Sequence, residues 1–112
     1  MDVAMTKQAA LTRKETITQG YTALKTVIDP EIGIDLVNLG LIYDLEPQVS
    51  GVCVVTMTLT VMGCPLTDYL YTQISEALLT VDEISRVEIN LVWDPIWTID
   101  RISDEAKMEL GI

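Results

Sequence analysis

The patterns along this chain predict an α+β domain of two layers in the order helix–strand–strand–helix–strand, closed by a short C-terminal helix. Its three strands form one mixed sheet with the helices on one face. Three observations carry that reading. Residues 52–61 place an apolar side chain at every second position, as a half-buried strand does. Apolar residues recur at helical spacing in 12–28 and again after Pro65. The passage from the second strand through a helix to a third alternating stretch is a βαβ unit, so those strands, as neighbours, run parallel with a right-handed crossover. A chain of 112 residues suits one domain and hides roughly two thirds of its unfolded surface.

Residues 1–11 lack a strong pattern and read as a flexible lead-in, leaving 12–112 as the domain. Thr12-Arg-Lys-Glu15 matches a capping box and starts a helix to Ile28, with Ile17, Tyr21, Leu24 and Ile28 on one face. Gly20 inside it costs about 1 kcal/mol against alanine. Asp29-Pro30 ends the helix, because proline pushes the preceding residue out of the helical region, and a loop continues to Asn38. Strand one, Leu39 to Glu46, sets Leu41, Tyr43 and Leu45 against Ile42, Asp44 and Glu46. After the Pro47–Gly51 turn, strand two, Val52 to Val61, has Cys53, Val55, Met57, Leu59 and Val61 inward, opposite Val54, Thr56, Thr58 and Thr60. Cys53 is thereby a small core hydrophobe.

The second helix runs from Pro65 to Thr80 on a stripe of Leu66, Leu70, Ile74, Ala77 and Leu78, and the third strand from Arg86 to Trp93. The Trp93-Asp-Pro-Ile-Trp97 stretch is an apolar lid on the sheet or, at Trp97, a functional aromatic. Ser103 caps a last helix that stops at Gly111.

Cys64 falls where strand two hands over to the second helix. Pro65 suits the first helical position, which makes Cys64 the cap; free amides and the positive end of the helix dipole favour a thiolate there. Gly63 permits close backbone approach. The same Gly-Cys-Pro run is also readable as a compact corner around a packed thiol. Asp29 and Glu31 read as a solvated helix breaker. Two carboxylates at a helix C-terminus nevertheless oppose the dipole, so a metal, a partner's cation or a hydrogen-bonded turn is expected to hold them.

Composition removes several classes of function. A formal charge of −10 repels phosphate backbones, so nucleic acid is not an expected partner. The absence of histidine removes Ser-His-Asp and Cys-His pairs and imidazole metal sites, which argues against an enzyme and leaves a hydrolase built on Asp29 and Glu31 the weakest reading. No apolar run is long enough for a bilayer and the start is unlike a secretory signal, so no membrane is involved and the expected location is the cytoplasm. Two cysteines cannot supply the four thiolates of a permanent iron–sulfur cluster. A transient site completed by a second subunit, a partner protein or small ligands would fit, and a homodimer pairing two Cys64 thiols is one way to build it.

Asp29-Pro-Glu-Ile, Asn38-Leu-Gly-Leu-Ile-Tyr43, Met57-Thr-Leu-Thr60 with Gly63-Cys-Pro65, and Asp94-Pro-Ile-Trp97 before Leu110-Gly111 occur in order across residues 14–111. In these motifs the chain resembles the SufT-like metal–sulfur cluster assembly family, which includes the PaaD-like proteins and the eukaryotic cytosolic iron–sulfur targeting subunits. The resemblance is to the bare single-domain bacterial form. It implies an iron–sulfur cluster assembly domain, an accessory role in assembling clusters or delivering them to client proteins, and carrier or client proteins as partners. It places the functional thiol at Cys64, with transient iron or cluster contact, the acidic motif at Asp29 and Glu31, and a recurring aromatic at Trp97. The alternatives are an interaction adaptor whose Cys64 only packs, or a PaaD-like factor for a multicomponent oxygenase; the cysteine-rich extension of PaaD is missing here.

Overall fold

A computed structural model describes the backbone of residues 3–60 and 67–112 and the side chains of 13–60 and 67–112. Its centre is β2 (Val52–Met57), where Cys53, Val55 and Met57 are buried while Val52, Val54 and Thr56 stay half-buried. That alternation follows from the period of two in an extended chain, and it gives the sheet one core face and one open face. β1 (Ile42–Pro47) pairs antiparallel with β2 from Ile42↔Met57 to Pro47↔Cys53. β3 (Arg86–Leu91) pairs parallel on the other side, with Val52↔Arg86 through Met57↔Leu91 in unbroken register. The sheet is mixed, in the order β1-β2-β3, as the sequence leads one to expect.

Helices cover the core face. α2 (Thr67–Leu78) buries Leu70, Ile74 and Leu78 along the expected stripe, each contributing about 2 kcal/mol by leaving water. Pro65, expected as the first helical residue, and Leu66, expected on the stripe, lie outside the described residues. α1 spans Val3–Leu24, so it starts upstream of the Thr12 capping box and ends before Ile28. Among its described side chains Thr16, Gly20 and Leu24, four apart, are the buried positions; Ile28, expected on that face, lies beyond the helix and is 44% exposed. Gly20 has a packing reason: an added Cβ would sit 3.0 Å from Leu45 Cδ1 and 3.5 Å from Leu78 Cδ2, so its bareness lets α1 approach β1 and α2.

Three departures have local causes. β1 starts at Ile42 rather than Leu39 because residues 36–40 form turns. A register shift between Ile42 and Asp44 then turns Ile42 onto the core beside Met57, where strict alternation had grouped it with Asp44 and Glu46. β2 ends at Met57, and beyond it Thr58 donates its amide to Leu41 O at 2.9 Å and is 1% exposed, although alternation put it on the open face. The last helix, α3 (Asp104–Leu110), follows expectation: Ser103 caps it by accepting from Ala106 N, and Gly111 ends it in the left-handed region at φ 76°.

Candidate functional site

The Asp29-Pro30 stretch folds on itself. Asp29 is buried, and its Oδ1 accepts the Glu31 amide at 2.9 Å, the turn that aspartate before proline favours. Its carbonyl accepts from Gly33 N at 2.7 Å, and its own amide donates to Ile34 O at 3.0 Å. A hydrogen-bonded turn, one of the devices expected to hold a carboxylate here, is present at Asp29, which lies beyond the end of α1 at Leu24. Glu31 projects from the same turn into solvent.

The loop is then anchored to α3. Asp35 accepts the Asn38 backbone amide at 3.0 Å and the Asn38 side-chain amide at 2.7 Å. Asn38 in turn accepts the Ser103 hydroxyl at 2.8 Å on Oδ1 and the Ser103 amide at 2.8 Å on its carbonyl. Ser103 therefore donates to Asn38 with the same hydroxyl that caps α3. The pivot role of Asn38 was invisible in the sequence because its partner stands 65 residues away; the Asp-x-x-Asn spacing was the one local hint.

Beyond Asn38 the chain meets the Trp93–Trp97 stretch. Trp97 Nε1 donates to Leu39 O at 2.7 Å and its ring packs half-buried on the core. Gly40, at φ 76°, has no room for a Cβ because the Arg101 backbone lies against it. Tyr43 donates its hydroxyl to Pro95 O at 2.8 Å, and the Arg101 guanidinium stacks 4.6 Å over its ring. Gly40, Ile42, Tyr43, Pro95 and Arg101 line a shallow, open cleft of about 430 Å³. Asn38 and Tyr43 entered the sequence reading only as loop and strand positions and as the ends of a family motif, and Arg101 not at all, yet these three carry this geometry together with Trp97.

The structure thus links the Asp29 loop to Trp97 through residues 35–39. Gly63, Cys64 and Pro65 lie outside the described residues. Cys53 is sealed in the core at 1% exposure, and burial, helped by the Asp44 charge, pushes its thiol pKa up, away from the reactive thiolate. Thr58, close before Gly63 in sequence, buries a hydroxyl with no hydrogen-bond partner among the described residues. Among the described residues no three Cys, Asp or Glu side chains gather as a metal site.

With this geometry in place, comparison with known proteins decides the kinship. The family model for iron-sulfur cluster assembly proteins matches residues 18–91. The chain belongs to that family. It is 47% identical over 90 residues to the Fe-S protein maturation auxiliary factor YitW of Bacillus subtilis, covering 80% of this chain and 88% of the relative. It is 50% identical over 86 residues to the Fe-S protein maturation auxiliary factor SufT of Staphylococcus aureus, covering 77% of this chain and 98% of the relative. Its fold superposes with TM-score 0.86 and 39% identity on the crystal structure of a domain of unknown function, DUF59, from Bacillus anthracis, over 92% of this chain and 98% of that one. The iron–sulfur cluster assembly fold expected from the motifs is therefore the fold observed.

Proposed function

We propose that this domain is a non-catalytic accessory factor that helps iron–sulfur clusters reach client proteins in the cytoplasm, with Cys64 as its transient contact to iron, cluster or a client thiol. The observation that carries the assignment is the family match together with relatives named as maturation factors. Burial of Cys53 adds to it, because Cys64 is then the one cysteine left for such contact. A single thiolate cannot hold a cluster alone, so the remaining ligands come from a carrier, a client or a second copy, an arrangement that releases its cargo easily. Gly63 and Pro65 flank that cysteine in sequence and support its role in this reading. Asp29 builds the turn that presents Glu31, and Trp97 braces the loop beside it.

Replacing Cys64 by alanine in cells whose native copy is deleted tests the reading. The expected result is loss of at least tenfold in the activity of a client iron–sulfur enzyme, with the variant present at normal abundance. Full rescue by Cys64→Ala removes the thiol from the mechanism and leaves an adaptor that only binds proteins.

A further inference from the structure

β3 is an outer strand, and among the helices and strands described only β2 and α2 pack against it. The Arg86 amide donates toward β2 at Gly51 O, 3.4 Å, and the Val92 amide at Met57 O, 2.8 Å. Strand alternation turns Glu88 and Asn90 the same way, which leaves the N–H and C=O groups of Val87, Ile89 and Leu91 pointing off the sheet. Native sheets blunt such edges with prolines, bulges or covering elements. β1 has a register shift after Ile42 and ends at Pro47, whereas β3 has neither device.

Side chains along the edge indicate what would pair with it. On the core face Val87, Ile89 and Leu91 remain half-exposed, while Cys53, Val55 and Met57 beside them are buried. On the open face Asp44, Glu46 and Glu88 outnumber Arg86, so the field there is negative. A second copy fits poorly, because each copy carries a charge of −10 and a two-fold register centred on Glu88 opposes it to its twin.

We propose that the β3 edge is a docking strand for an extended segment of a partner protein, with apolar side chains alternating over Val87, Ile89 and Leu91 and lysine or arginine facing Glu88. The proposal rests on the accessory-factor reading and names how a client is held. β2 and β3 run parallel, so the docked segment lies along the sheet toward the end at which β2 leads on to the Cys64 segment.

The probe is a blocked synthetic octapeptide of alternating valine and lysine, added to the full chain while amide hydrogen exchange is followed by NMR. Exchange at Val87, Ile89 and Leu91 is expected to slow at least tenfold, with Glu88 and Asn90 already protected without peptide. Glu88→Lys is expected to weaken the peptide at least fivefold, and Ile89→Pro at least tenfold, since proline there removes only an outward donor. Glu105→Lys with Glu109→Lys, which alters overall charge more, is expected to change affinity less than twofold. Unchanged exchange at the three outward amides overturns the proposal, as does equal weakening by the α3 variants, which would mean attraction to a generally acidic surface. Protection that rises with protein concentration in the absence of peptide overturns it in favour of self-pairing. If Ile89→Pro fails to fold, the wild-type exchange pattern and Glu88→Lys still decide. None of these readouts involves Cys64, so a negative result here leaves the maturation role to its own cell-based test.

Discussion

In the loop from Ile28 to Gly40, side chains and backbone groups face one another; along β3 the amides of Val87, Ile89 and Leu91 face outward. The loop has no regular structure beyond a single bridge between Ile28 and Asp35, yet Asp29, Asp35 and Asn38 supply the hydrogen bonds that a ladder would otherwise make. The strand is regular, yet the outward backbone groups of Val87, Ile89 and Leu91 meet no further strand among the described residues. Regularity is thus a poor guide to rigidity here. The irregular segment is scaffold, joined to α3 and Trp97, and the regular one is available surface.

The largest expected effect that sharpens this contrast is at Gly40. Gly40→Ala forces a Cβ into the left-handed region and against the Arg101 backbone, and is expected to lower stability by about 3 kcal/mol, read as a fall in the urea midpoint. A loss below about 1 kcal/mol means the loop is not pinned there. Asn38→Ala comes next at about 2 kcal/mol, because Asp35 loses a donor and the Ser103 hydroxyl loses its acceptor. A double-mutant cycle with Ser103→Ala checks that the two residues act together, with coupling of about 1 kcal/mol expected and none if the link is incidental. The smallest effect is at the edge. Glu88→Gln removes an exposed ion pair with Arg86 at 3.7 Å and is expected to move stability by less than about 0.5 kcal/mol. A larger loss would make β3 part of the scaffold and erase the comparison.

How much of this was legible beforehand depends on range in sequence. The Ser103 cap, the Gly111 stop, the α2 stripe and the buried Cys53 were all readable, since each depends on neighbours within a turn of helix or two steps of strand. The limits of α1 were misread: a capping box at Thr12 is a local option that the helix from Val3 overrides, and Ile28 joins the loop through Asp35 instead of the helix face. Alternation failed at Ile42 and Thr58 for a related reason. A register shift and a strand end are set by what pairs across the sheet, which a period of two cannot encode. At the candidate site the motif residues were recognisable in sequence, but the division of labour between Asp29 and Glu31 was not, because burial separates two carboxylates that look alike in a string.

The residue pattern by itself determined the class of fold, the strand that forms its centre, the exclusion of histidine chemistry and the choice of Cys64 as the thiol worth testing; composition and short-range spacing suffice for each. Tertiary structure alone decided that Asp29 is bound into its turn, that Asn38 reaches Ser103, that Arg101 closes over Tyr43 and that β3 is an outer strand with no further strand beyond it among the described residues. Those outcomes depend on groups far apart in sequence meeting at hydrogen-bond distance, and on which backbone atoms find no such partner.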